Sequence, residues 1–405
     1  MIYILALSII IFIIASLKFL KFPIKAAFKN TIISPSVFTW IFIFIYCILS
    51  VQIFWIDDFW YLEKNYEHTL HKTYEVLSLF FLIFFLTELI AYPLIKIEKT
   101  KNTSLTNHVN FFNFVNIYTL LVLTTFIIFL PNSNQIGILN FFFNTLIPII
   151  GFYVINKNKK FYIYFFIFIL LSVFIGFRFR LALLFIPIII FIFMRNKIFS
   201  TNFLSLVIFS FLCLTLLVLV GNFREYNDGL NFELFTYETF FSLYSYSNGI
   251  FNDTSTVLVT GAFIEEFDQI GKYAYFSQIK YVIEFFLPSF LFEKKSYSPI
   301  LSYVYSVVGT DIGGSAVMGF AEYYHTAGFY GVVIFALFYS LYLTYSYKKF
   351  IETKINFYLF SYLSFLTWFI NSLTRGYLPQ NIFDFVAICF GLYIVKYQYF
   401  SKIEN

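Results

Sequence analysis

Long apolar runs separated by short polar breaks dominate this chain, and their lengths decide its class before any single residue does. A helix crossing about 30 Å of hydrocarbon needs about 20 predominantly apolar residues. The run Val37 to Ile56 reaches that length. Further runs fall near residues 2–17, 74–95, 111–130, 136–155, 161–177, 179–194, 202–220, 326–346, 355–373 and 381–395. The pattern predicts an all-α polytopic integral membrane protein with about eleven transmembrane helices. It divides the chain into an N-terminal bundle of about eight spans (1–220), a long external segment (221–325) and about three C-terminal spans (326–405). The first run, Ile2 to Leu17, has neither a basic leader nor a small-residue cleavage site, so it is expected to be a retained span.

Composition agrees with this class. Hydrophobic residues make up 60% and charged residues 12%, a balance that a soluble core does not absorb. The 62 Phe and 33 Tyr exceed what interfacial belts need, and with abundant Ile, Asn and Lys they point to AT-rich codon usage. No individual Phe or Tyr is therefore read as functional. Cys47, Cys213 and Cys389 each lie inside an apolar run, which argues against structural disulfides or a metal cluster.

Charge adds sidedness. Lysines recur in alternate short loops: Lys18 to Lys29, Lys96 to Lys101, Lys157 to Lys160, Lys197 beside Arg195, Lys348 to Lys354, then Lys396 and Lys402. The positive-inside rule makes these loops cytoplasmic. The N-terminus is then outside and the C-terminus inside, and Asp57 to Tyr74, Gly176 to Arg180, 221–325 and 374–380 face the exterior. Four of the five arginines, Arg178, Arg180, Arg224 and Arg375, fall on this lysine-poor side. Arginine presents a permanently charged planar fork that meets phosphate oxygens bidentately, so this segregation suggests a phosphate or pyrophosphate headgroup. Arg178 and Arg180 share a side if the turn is extended and lie about 200° apart if it is helical. Competing roles are interfacial snorkelling for the pair, an ion pair with Glu225 for Arg224 and helix C-terminal capping for Arg375.

The external segment remains aromatic and apolar. Leu230 to Tyr246 and Tyr273 to Phe292 suit helices lying in the interface as a lid, and Gly309 to Ser315 makes a polar turn before helical periodicity resumes. Glu322 and His325, three apart, share a helix face, and Gly328 and Gly331 would admit a close neighbour. Such a pair can bind sugar hydroxyls, activate one as a nucleophile, or simply be solvated, the last being expected without further context. Asp57 and Asp58 form an acidic pair of a kind used by polyprenyl-phosphate-dependent glycosyltransferases, although Glu63, Lys64, Glu67 and Lys72 nearby favour a solvated loop. No additional His or Cys stands at ligand spacing, so no metal is expected.

In order, the turn Gly176 to Arg180, Gly221-Asn222-Phe223-Arg224 opening the long external segment, Gly309 through Gly331 and the element Arg375-Gly376 resemble the O-antigen polymerase family of bacterial inner-membrane proteins. The resemblance covers roughly the C-terminal 60% of the chain, and His325 stands where members often have asparagine, whereas related O-antigen ligases use a histidine in a comparable loop. It implies an inner-membrane enzyme facing the periplasm, needing no cofactor and acting on lipid rather than nucleic acid. A growing glycan would be transferred from undecaprenyl pyrophosphate to the nonreducing end of an incoming lipid-linked unit, with a chain-length regulator protein as a further partner. It places Arg178, Arg180, Arg224 and Arg375 on the pyrophosphate and makes Glu322 or His325 the base or positioning group for the acceptor hydroxyl. Alternatives are an O-antigen ligase delivering glycan to lipid A core, a glycosyltransferase using Asp57 or Asp58, and a flippase for lipid-linked oligosaccharide.

Overall fold

A computed structural model gives the structure and describes residues 30, 32–49, 60–61, 64–65, 67–97, 109–129, 137–175, 178–195, 201–222, 224–225, 229–230, 255–270, 273–275, 280, 283–284 and 317–400. The first apolar run, Asp57 and Asp58, Leu230 to Tyr246 apart from Leu230 itself, and Gly309 to Ser315 lie outside the described residues.

Among the described residues the architecture is helical. Helix α1 (Pro35–Ile43) opens with proline in its first turn and passes into a π-helical turn, Phe44–Leu49. It is followed by α2 (Leu70–Leu94), α3 (Val109–Ile128), α4 (Gly137–Ile155), α5 (Lys159–Phe174), α6 (Arg178–Arg195) and α7 (Thr201–Asn222). Then come α8 (Ser255–Ile270), α9 (Gly319–Thr353), α10 (Asn356–Thr374) and α11 (Leu378–Phe400). Two antiparallel ladders of two residues each, β1 (Trp60–Tyr61) with β2 (Lys64–Asn65) and β3 (Arg224–Glu225) with β4 (Gly229–Leu230), decorate the loops. Four helices are long and apolar enough to cross a membrane: Leu70–Leu94, Ile138–Ile155, Gly319–Thr353 and Leu378–Gln398. Pro35–Cys47, Phe114–Ile128 and Leu204–Leu217 are shorter apolar helices. These lengths support a helical membrane protein without establishing eleven spans.

Apolar side chains pack both ways. Ile117, Leu121, Phe211 and Leu212 are exposed, a position hydrocarbon favours and water does not, while Phe80, Phe84 and Phe369 stack inside where α2 meets α10. Cys47, Cys213 and Cys389 are free thiols. Helices α4 and α11 pack so closely that a Cβ on Gly391 would collide with the Thr145 carbonyl oxygen and lie 2.6 Å from Pro148 Cγ. Gly391→Ala is expected to cost about 1–3 kcal/mol through overpacking, read as a lowered melting midpoint in detergent. An unchanged midpoint would contradict the close α4–α11 approach.

Helix α9 corrects the predicted span 326–346. Its backbone leaves helical geometry at Ala327 (φ −159°, ψ 35°) and Gly328 (φ 60°, ψ −143°), the latter a left-handed value that glycine adopts without strain. In an unbroken helix Tyr323 and Tyr339 would be roughly 24 Å apart. Instead the Tyr323 hydroxyl donates to that of Tyr339 at 3.0 Å, and its ring stacks on Phe335 at 4.3 Å. Residues 319–326 therefore form a short arm folded back along the long arm 329–353. The two carbonyls released at the reversal are satisfied from outside α9: Ala274 N–H donates to His325 O at 3.0 Å and Tyr275 N–H to Thr326 O at 2.8 Å. The close neighbour anticipated at Gly331 is thus the chain itself, the Tyr323 carbonyl. The long arm spans roughly 37 Å at 1.5 Å per residue, enough to cross the hydrocarbon without the short arm.

Basic side chains tie helix termini together at one end of the bundle. Lys348 Nζ donates to the Tyr92 and Ile95 carbonyls at 2.7 and 2.6 Å, and Arg195 Nη2 to Asn356 Oδ1 at 2.5 Å. These contacts put the C-termini of α2, α6 and α9 and the N-terminus of α10 at one end. The opposite end gathers the N-termini of α2, α6 and α11, the short arm of α9, the C-terminus of α10 and helix α8. Helix α8 lies within the external segment, at 255–270, where no helix was predicted. It docks on α2 through Thr73 Oγ1, which donates to Val257 O at 2.9 Å, and on the short arm through Thr260 Oγ1, which accepts from Met318 N at 2.8 Å.

Candidate functional site

The arginine-bearing end is built around the short arm of α9. Gly376 N–H donates to Val317 O at 2.7 Å, so the turn between α10 and α11 is tied to the residues that start the arm. Glu322 is buried there. Its Oε2 accepts from Leu378 N–H in the first turn of α11, and its Oε1 is buried with no hydrogen-bond partner among the described residues. The solvated glutamate expected from sequence is thus corrected: Glu322 caps a neighbouring helix and keeps one oxygen uncommitted. His325 is also buried, which corrects the same expectation for it. Its ring meets Phe267 edge-on at 4.6 Å and lies 6.0 Å from Phe263, so it turns to α8 while Glu322 turns to α11. One helix face does not imply one pocket here, because a step of three residues leaves the two side chains about 60° apart.

Beside His325, Tyr324 donates to Asp268 Oδ1 at 2.5 Å, and Asp268 Oδ2 meets Lys72 Nζ at 3.5 Å. This chain of contacts fixes α8 across the α2 terminus and the short arm. The external segment therefore contributes a packed wall as well as any covering layer.

Arg178 and Arg180 both lie in the first turn of α6, which resolves their geometry as helical and separates them by about 200°. Arg178 is half-buried. Arg180 is fully enclosed: Nη2 donates to Asn140 Oδ1 of α4 at 2.6 Å, and the guanidinium lies 5.1, 5.6 and 5.9 Å from the ring centroids of Phe143, Phe179 and Phe126. The opposite charge to which it couples is Asp384 of α11, itself buried and accepting from Asn144 Nδ2 at 2.7 Å. Asp384, Asn140 and Asn144 are site residues that the reading of the sequence did not single out. The available signal was an aspartate within the last apolar run, since ionisable groups in spans are costly to retain.

Arg375 is half-buried at the C-cap position of α10, and its carbonyl accepts from Asn381 Nδ2 at 2.9 Å. Helices α6 and α10 run antiparallel, joined at the far end by Arg195 and Asn356, so Arg178 and Arg375 emerge at the same level of the same helix pair. The Arg224 backbone pairs with Leu230 in the hairpin that follows α7. The fold thus brings the arginine-bearing segments and Glu322 to one end, and it separates a buried arginine, Arg180, from half-buried Arg178 and Arg375. Among the described residues no three of His, Cys, Asp and Glu gather as a metal-ligand group. No family model matches the chain, and no curated protein or solved structure is similar to it.

Proposed function

We propose that this protein is a membrane glycosyltransferase that elongates a glycan carried on undecaprenyl pyrophosphate, with its site at the arginine-bearing end and facing the exterior of a bacterial inner membrane. The observation that carries the reading is Glu322, a buried carboxylate with one oxygen fixed by Leu378 and one uncommitted, on a helix arm folded back beside the Arg375 turn. In this reading such a group takes the proton from an acceptor hydroxyl as that oxygen bonds to the anomeric carbon of the donor glycan. The bond from that carbon to the pyrophosphate oxygen breaks, and the leaving pyrophosphate gains negative charge. Arg178, Arg224 and Arg375 are the groups suited to stabilise it, because fixed guanidinium charges favour the state in which charge has developed. Arg180 serves as an anchor: its contacts with Asn140 and the three phenylalanines hold the first turn of α6, and with it Arg178. His325 lines the wall between α8 and the short arm.

The segregation of lysines to the opposite end supports this orientation through the positive-inside rule. The resemblance to the O-antigen polymerase family supplies the donor lipid and the acceptor. In cells making a surface polysaccharide through this protein, Arg178→Ala and Arg224→Ala are expected to leave membrane insertion intact and reduce the product to single repeat units. Normal chain-length ladders from both variants would remove the pyrophosphate assignment.

Movement of a lipid-linked oligosaccharide across the membrane is the second reading, favoured by the interruption of α9 and by the buried Glu88 on α2. The position of the interruption weighs against it. The long arm is a full span by itself, so the reversal lies at its end, whereas transporter helices break near the midplane.

A further inference from the structure

Glu88 lies on α2, six residues before its end, and is buried on the opposite half of the bundle from the arginines. A carboxylate in such a place is costly and requires compensation. Part of that compensation is the N-terminus of α1: Oε2 of Glu88 accepts from Ser36 N–H at 2.8 Å and also from the Ser36 hydroxyl. Capping accounts for Oε2 alone. Oε1 is buried with no hydrogen-bond partner among the described residues.

Of the other buried oxygens without a hydrogen-bond partner among the described residues, two come from α1 and α9, the helices that pack against this part of α2. Ser340 Oγ donates to Phe84 O, and Lys348 Nζ donates to Tyr92 O, two contacts with the same sequence offset of 256 residues. Helices α2 and α9 therefore run in parallel register, and the same offset sets Glu88 opposite Thr344. Thr344 is fully buried, and its Oγ1 has no hydrogen-bond partner among the described residues. Helix α1 packs against α2, α9 and α10, and Thr39 follows Ser36 by three residues, on the face turned to Glu88. Its Oγ1 is likewise buried and unpartnered among the described residues.

We propose that Glu88, Thr344 and Thr39 form a site for a monovalent alkali cation within the helix bundle. One carboxylate balances one positive charge, whereas a divalent ion would leave net charge in an apolar interior. Carboxylate and hydroxyl oxygens are hard donors that suit alkali ions. A proton on Oε1 would supply a donor to one threonine at most, while a cation satisfies oxygens from three helices together. The cation on the facing helix, Lys348, is committed to the Tyr92 and Ile95 carbonyls and to Glu352 at 3.6 Å. The tyrosines around the carboxylate are also engaged: the hydroxyls of Tyr347 and Tyr362 donate to the Asn30 and Ile33 carbonyls. Binding would tie α1 to α2 and α9. The site is independent of the glycan-transfer reading.

The test is the melting midpoint of the full-length protein in detergent, titrated with sodium or potassium chloride against choline chloride at constant ionic strength. Binding to the folded state raises the midpoint with cation concentration. The wild-type midpoint is expected to rise in at least one alkali salt relative to choline. Glu88→Gln is expected to abolish that rise, and Thr344→Val to raise the half-saturating concentration at least about tenfold, the effect of losing one ligand to a charged group. Equal wild-type midpoints in all three salts overturn the proposal even if no variant folds. So does a full alkali-dependent rise in Glu88→Gln, or a wild-type midpoint that moves with pH and with neither alkali salt.

Discussion

Arg180→Ala is expected to lower glycan transfer by about 100-fold, the scale of effect produced when a reacting group is misplaced by about 1 Å, and to destabilise the protein as well. The guanidinium bridges three helices: it belongs to α6, donates to Asn140 of α4 and couples to Asp384 of α11. Removing it takes the balancing charge from the buried Asp384 carboxylate and leaves a cavity among three phenylalanines, and both changes destabilise the bundle. Two effects are therefore superimposed, and a second substitution separates them. Asp384→Asn in the Arg180→Ala background removes the stranded charge, so the melting midpoint should recover towards wild type. Activity should not recover, because the α6 turn that carries Arg178 still lacks its anchor. A double variant that regains both stability and transfer would show that Arg180 matters only through the stability of the bundle.

Glu322→Gln is expected to lower the transfer rate by about 10²–10⁴-fold, the usual contribution of general acid–base catalysis, with little change in melting midpoint. Glutamine retains an oxygen that can accept from Leu378 N–H, so the cap on α11 survives while the proton acceptor is lost. Glu322→Ala should lose activity and stability together, since a buried N–H left unpaired costs about 1–3 kcal/mol. The measurement pairs the initial rate of product formation with a thermal melt on each variant. Wild-type rates in Glu322→Gln would exclude the glutamate as base and leave it a helix cap.

Much of the architecture is legible in the apolar runs. The boundaries of α4, α6 and α10 fall close to runs identified by length alone, and the fold places Lys348 and Arg195 at the opposite end of the bundle from Arg178 and Arg375. Composition was blind to two elements. The short arm of α9 carries the same aromatic and small residues as a span entrance, and nothing in Ala327-Gly328 distinguishes a reversal from close helix packing until a positive φ is seen. Helix α8 ends in Glu265, Glu266 and Asp268, so charge placed it outside the membrane, whereas its earlier turns bury Val257, Leu258 and Phe263 against the bundle.

The site divides in the same way. Arg178, Arg180, Arg375 and Glu322 stand out in the sequence by residue type and by position between apolar runs. Spacing cannot show that Arg180 is enclosed, because enclosure depends on Asn140, Asp384 and three phenylalanines from other parts of the fold. The divergence of Glu322 and His325 also depends on partners, Leu378 on α11 and Phe267 on α8, that are remote in sequence. Asp384 and Glu88 escape a reading by runs for one reason: each carboxylate sits among apolar neighbours whose average hides it.

The central claim is glycan transfer between lipid-linked units at the arginine-bearing end. Its most direct test is to incubate the purified protein with an undecaprenyl-pyrophosphate-linked oligosaccharide as both donor and acceptor, with and without lipid A core, and to resolve the products by size. The account predicts a ladder of lipid-linked polymers without the core, absent in Glu322→Gln. Product formed only as capped core, or no product from a folded protein with its matching oligosaccharide, would contradict it.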